Sequence, residues 1–251
     1  FIPYLLPKII EVTNPRTKSD SSLSLIMLAI ISNNFEAVKP LLEYGYDESL
    51  ESTSWSGETA FDYACQKKQK ELVKLIISHM YHFGDQPRYA KSICYSLCEL
   101  CSPSLVKYVL FDYYPPDFDF QSNRSFIDIL KCNLDKKEPP LFALLKNQNT
   151  RKDNIHKVIK IVQLFLQKGY PIDYQPEGKN TFLAETCLGL YPINEKPLEL
   201  IQFLLEKGAN PNSIIALKKV PLYQYLKKMS MTRGRKDELE PIIMIFEKFV
   251  I

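Results

Sequence analysis

Apolar residues recur along this chain at three- and four-residue spacing, in pairs of short segments divided by a polar break. Leu23 to Ile31 is apolar at close intervals and Ser32-Asn33-Asn34 interrupts it. Phe35, Val38, Leu41 and Leu42 then share one stripe that ends at Gly45. Phe61 and Ala64 open a second pair, and Leu72, Val73, Leu75, Ile76 and Ile77 fill its second half. Leu141, Phe142, Leu144 and Leu145 precede a polar insert at 146–154, after which Val158, Ile161, Val162, Phe165 and Leu166 run to Gly169. Phe182, Leu183, Ala184 and Cys187 are followed by Leu198, Leu200, Ile201, Leu204, Leu205 and Gly208. The last pair holds Leu222, Tyr223, Tyr225 and Leu226, then Leu239, Ile242, Ile243, Ile245 and Phe246. These spacings predict amphipathic helices. The glycines at 45, 169 and 208 suit the left-handed position just past a helix end.

The pairs repeat. Ala60-Phe61, Pro140-Leu141, Thr181-Phe182 and Pro221-Leu222 serve as anchors, spaced 80, 41 and 40 residues apart. Residues 90–111 fill the double-width first gap with a more divergent unit. A hairpin of two short helices cannot bury its own apolar face, so the pattern predicts hairpins stacked in one dimension.

At this point the chain resembles the ankyrin-repeat family. The opening motif of that family is matched by Gly57, Thr59, Phe61 and Ala64, with Ala60 where proline is usual and Asp62 where histidine is usual. Its closing motif is matched by Leu204-Leu205-Glu206-Lys207-Gly208-Ala209-Asn210-Pro211-Asn212, with weaker copies at 41–47 and 165–173. The resemblance covers about residues 20–250 and implies an all-α, ankyrin-repeat solenoid of stacked helical hairpins. Six repeats are expected, at 20–52, 53–89, 90–122, 123–176, 177–212 and 213–251, with 1–19 as an N-terminal extension or cap. Asp20, Ser21 and Ser22 offer oxygens to cap the first repeat helix. The units run near 40 residues where the family norm is about 33. The surplus lies mostly at 146–154, 189–197 and 229–237, between the helices of a unit.

Composition narrows the function without naming it. A hydrophobic fraction of 45% in 251 residues supplies a sizeable core, and a net charge of +3 is too mild to demand nucleic acid. No apolar run reaches the length of a membrane span. Phe1 stands where an initiator methionine would, so the chain reads as a fragment or a processed product. Six cysteines placed on predicted helix faces are expected as thiols of a reducing, cytoplasmic setting rather than as disulfides.

The chemistry-bearing residues each have a plain alternative. Cys94, Cys98 and Cys101 have a spacing compatible with an iron–sulfur cluster or, with His79 or His82, zinc. Positions i, i+4 and i+7 are also one face of a helix, where cysteine packs as a small hydrophobe, and that is the reading adopted. Cys65 and His79 could approach one another as a hydrolase pair, but no third orienting residue is evident. His156 reads as exposed. No metal and no cofactor is expected, and no catalytic residue is assigned.

The resemblance implies a concave face, built from loops and first helices, that grips a protein partner. The loops at 52–58, 118–124 and 174–180 are expected on it, presenting Trp55, Phe118, Asn123, Arg124, Tyr174 and Lys179. Aromatic and arginine side chains are the usual anchors of an interface. Trp55 has an alternative, folding back on a neighbouring loop. Lys218, Lys219, Lys227, Lys228, Arg233, Arg235 and Lys236 form a basic run with no acidic residue inside it. It reads first as a solvated surface, and second as a site for nucleic acid or an anionic membrane.

The expected role is therefore a non-catalytic, monomeric scaffold that binds a protein of unknown identity. Its asparagine and lysine richness and long inserts resemble ankyrin proteins that intracellular bacteria and large DNA viruses use inside host cells, which suggests a host-directed effector. The alternatives are a targeting arm for a catalytic domain outside these residues, or an adaptor for an acidic surface.

Overall fold

The computed structural model describes residues 23–43, 50, 52–79, 87–113, 139–145, 153–189, 197–232 and 235–250. The chain divides into two compact units, Phe1–Ser96 and Leu97–Ile251. Among the described residues the regular structure is helical, apart from one isolated bridge between Ile214 and Pro221.

In the first unit, α1 (Leu25–Ile31) and α2 (Phe35–Glu43) form one hairpin, and α3 (Ala60–Gln66) and α4 (Lys70–His79) form the next. First helix packs on first helix (α1 on α3) and second on second (α2 on α4). Most of each predicted stripe is buried, namely Val38, Leu41 and Leu42 on α2 and Leu72, Val73, Ile76 and Ile77 on α4, whereas Phe35 and Leu75 are only half-buried. α5 (Pro87–Glu99) crosses the boundary between the units.

In the second unit, α6 (Pro103–Lys107) runs into a π-helical turn at Tyr108–Tyr113, and α7 (Pro140–Ala143) is a single turn. α8 (Ile155–Gln167), α9 (Phe182–Leu188), α10 (Leu198–Glu206), α11 (Leu222–Ser230) and α12 (Lys236–Phe246) complete it. The second helices pack in succession: α6 on α8, α8 on α10, α10 on α12. Phe165 and Phe246 are completely buried in this layer.

Side-chain caps mark where three of the helices begin. The Ser24 hydroxyl accepts from the Met27 N–H, Thr59 from Asp62 and Thr181 from Ala184, each satisfying a donor that the helix leaves orphaned. Asp62 completes a capping box by accepting from the Thr59 N–H at 2.9 Å. Its other oxygen accepts from the buried Ser96 hydroxyl at 2.7 Å, so the residue at the usual histidine position ties one repeat to the next.

These caps correct the sequence reading in three places. The observed cap of the first helix is Ser24, whereas Asp20, Ser21 and Ser22 lie outside the described residues. Thr181 is the counterpart of Thr59, one position away from the anchor alignment based on Ala60. α5 starts at Pro87, ahead of the expected repeat boundary at 90, because proline fits a first helical position without losing a bond.

The helix ends share one geometry. The Tyr170 N–H donates to the Phe165 carbonyl at 2.9 Å, and the Ala209 N–H to the Leu204 carbonyl at 3.0 Å. Both are Schellman closures with a left-handed glycine, Gly169 (φ 93°) and Gly208 (φ 90°), as expected; Gly45 lies outside the described residues. The same left-handed turn closes first helices without glycine, at Asn33, Lys68 and Cys101. Cys101 therefore lies beyond α5, at the turn, and not on the helix face expected for it. Pro40 and Pro241 sit inside α2 and α12, each removing a backbone donor from the helix.

Three stability predictions follow from these ends. Thr59→Ala removes the α3 cap at a cost of about 1 kcal/mol, lowering the melting temperature by about 2–4 °C in thermal unfolding. Gly208→Ala meets no atom within 4 Å of the added Cβ but inherits the left-handed backbone, so it costs about 1–2 kcal/mol. Lys68→Gly has the opposite sign: it relieves a φ of 56° at an exposed position and raises the melting temperature, after the entropy cost of glycine is subtracted. Equal melting for wild type and both turn variants would contradict the backbone argument.

Candidate functional site

The tip ahead of α3 is a closed local network. The Ser54 N–H donates to the Glu58 carbonyl at 2.8 Å, and the Gly57 N–H to the Ser54 carbonyl at 2.9 Å. The Glu58 N–H donates in turn to the Ser54 hydroxyl at 3.2 Å, and Ser56 donates to the Glu58 carboxylate at 2.8 Å. Gln66 of α3 bonds the same carboxylate. Gly57 adopts φ 79°, which the turn requires. Trp55 projects from this network with 81% of its surface exposed, so it does not fold back on a neighbouring loop.

The tip ahead of α9 divides its two candidates. The Tyr174 ring is half-buried and meets Tyr170 edge-on, at 5.7 Å between centroids. Lys179 is exposed, and its carbonyl accepts from the Gln175 side chain at 2.9 Å. Gln175 also donates to the Ile214 carbonyl at 3.1 Å, and the Ala216 N–H donates to the Asn180 side chain at 2.9 Å. Those bonds couple this tip to the following one. Phe118, Asn123, Arg124 and Arg233 lie outside the described residues.

The basic run is broken up in space. Lys218 and Lys219 sit on the turn of the 214–221 hairpin, Lys227 and Lys228 on the last turn of α11, and Arg235 and Lys236 at the start of α12. Lys227 lies 3.5 Å from the Glu247 carboxylate and 4.8 Å from the centre of the Tyr223 ring. Bonding to Tyr223, reinforced by Glu247, raises its pKa above the usual lysine value. A residue from the far end of α12 thus supplies the acid that the linear run lacks.

A cleft of about 380 Å³ opens where the 214–221 hairpin meets α9, α11 and α12. Leu188, Leu217, Leu226, Met229 and Leu239 supply apolar walls, and Lys218, Arg235, Tyr225 and Glu238 supply polar groups. Leu217, at its edge, is 89% exposed and Ile214 beside it 43% exposed. Sequence reasoning missed this cleft. Its lining comes from four separated segments, and the one available signal was an Ile-Ile-Ala-Leu stretch with no place in the helix stripes.

The sulfur and histidine candidates fall into the core or onto helix ends. Cys65, Cys94, Cys98 and Cys101 are all buried, and burial pushes the Cys101 thiol up against the opposing influence of Lys157. His79 Nδ1 lies 2.9 Å from the Leu75 carbonyl on its own helix. His156 is exposed at the start of α8, and His82 lies outside the described residues. Among the described residues no three His, Cys, Asp or Glu side chains are grouped as metal ligands. Tyr170 is buried, and among the described residues its hydroxyl meets no partner. Burial first, then Tyr174 and Cys98, drive its pKa upward.

The family comparison agrees with the hairpins of the first unit. Residues 2–87 match the family described as ankyrin repeats in three copies. No curated protein sequence matches the chain. Among solved structures, the chain is similar to the ankyrin repeat domain of Bcl-3, a unique member of the IkappaB protein family, at 14% identity and a TM-score of 0.49. That alignment covers 98% of this chain and 93% of the other. A second similar structure is EF0377, an ankyrin repeat protein, at 14% identity and a TM-score of 0.41, covering 99% of this chain and 92% of that one. Residues 2–87 thus match the ankyrin-repeat family, and hairpins closed by the same left-handed turn recur as far as Gly208.

Proposed function

We propose that this chain is a non-catalytic interaction module that holds a protein partner through its hairpin tips, with Trp55 as the anchor of the first unit. Ankyrin repeats generally bind proteins and typically form non-catalytic scaffolds. One observation carries the finer reading: a large aromatic side chain is left 81% exposed on a tip whose backbone is closed by its own hydrogen bonds. Leaving tryptophan in water forgoes the burial energy that its size offers, and a partner recovers that energy on contact. Because the tip is already ordered, little further ordering is needed on binding. Within the second unit, exposed Lys179 on the tip ahead of α9 is a separate, charged contact candidate. We place the site of action in the cytosol of a host cell, on the composition and insert lengths that resemble host-directed ankyrin proteins.

The test is affinity capture from cell lysate with wild type and Trp55→Ala, read by quantitative mass spectrometry. A protein retained by wild type falls about thirtyfold with the variant, corresponding to a loss of about 2 kcal/mol, while the melting temperature stays unchanged. Equal retention by both proteins removes Trp55 from the binding surface.

A further inference from the structure

We propose that the cleft between the 214–221 hairpin, α9, α11 and α12 receives one bulky apolar side chain of a linear peptide segment whose neighbouring residues are acidic. The proposal builds on the protein-binding reading but uses a surface separate from Trp55.

The size of the cleft comes first. About 380 Å³ accommodates a leucine, methionine or aromatic side chain together with the adjoining backbone. Its apolar surface does not stop at the rim: Leu217 continues it outward, 89% exposed. A ligand that covers Leu217 must extend beyond the cleft, which favours a chain over a compact small molecule.

Charge decides which chain. Lys218 and Arg235 line the cleft and are exposed, and among the described residues neither forms an ion pair. Lys227 contrasts with them, since Glu247 and Tyr223 already occupy it. Two cations with no ion pair among the described residues, set around an apolar hollow, match carboxylates on either side of an apolar residue. Glu238, in the first turn of α12, puts a negative charge in the wall. The site is also built in advance. The Ile215 N–H donates to the Val220 carbonyl at 3.0 Å, and the bonds from Gln175 and to Asn180 tie the hairpin to the tip ahead of α9.

The experiment selects random twelve-residue linear peptides displayed on phage against the full chain, then measures the enriched peptide by fluorescence anisotropy. Enriched sequences are expected to carry Asp or Glu within two positions of Leu, Met, Phe or Trp. Affinity is expected to fall about tenfold or more in Leu217→Ser and in a Lys218→Glu, Arg235→Glu double variant. A charge-matched Lys160→Glu, Lys207→Glu control and Trp55→Ala both retain binding within about twofold. All five altered side chains in the cleft and control variants are exposed, so melting curves should superimpose. Enriched peptides without carboxylates, or with equal affinity for the cleft variants, overturn the proposal. So does an absence of any enriched peptide, including the case where naphthoate alone binds in the cleft and raises the melting temperature. A Trp55→Ala protein that still captures its lysate partner counts against the first-unit anchor and leaves the cleft result standing.

Discussion

Burial of each second helix against the next is the interaction on which the rest of this structure depends. α8, α10 and α12 each present a wide apolar stripe, and each stripe is covered by the helix before or after it. Fully burying a Leu, Ile or Phe side chain contributes about 1.5–3 kcal/mol. None of these helices is long enough to be stable alone in water. Helix formation and stacking are therefore one event: the helix supplies the stripe, and the neighbour makes the helix worth forming.

That coupling explains what the ends of the helices must do. Short helices expose many orphan groups per residue, so caps and closures recur at close intervals. Hydroxyls serve at Ser24, Thr59 and Thr181, and left-handed closures at Asn33, Cys101, Gly169 and Gly208. Once those groups are satisfied, the connecting tips carry little structural burden and can hold exposed side chains in place. Trp55 and Leu217 are both found on such tips.

Electrostatics in this chain is decided by distance in space rather than along the sequence. Seven basic residues between 218 and 236 look like one patch when read in a line. Folding brings Glu247 to Lys227 and Glu238 to the wall shared with Lys218 and Arg235. One cation is paired off and two are set around an apolar hollow. On the peptide-binding proposal, selectivity arises from that arrangement, because a uniform patch attracts any anion and a mixed cleft does not.

By itself, the sequence determined the helical hairpins, their stripes and the glycine closures at 169 and 208, because each rests on residues within a few positions of one another. The spacing of Phe165, Leu166 and Gly169 carries its meaning within one turn. It also pointed to the tips as candidate sites, since polar breaks between stripes are legible locally. Three things were decided only by tertiary structure. Ser24 rather than its neighbours became the cap, and Thr181 aligned with Thr59, because packing sets the helix register. Trp55 came to point outward while Tyr174 turned toward Tyr170, a choice made by what surrounds each ring. The cleft formed from segments that lie tens of residues apart, and no local pattern encodes contacts between surfaces that meet only after the helices have stacked.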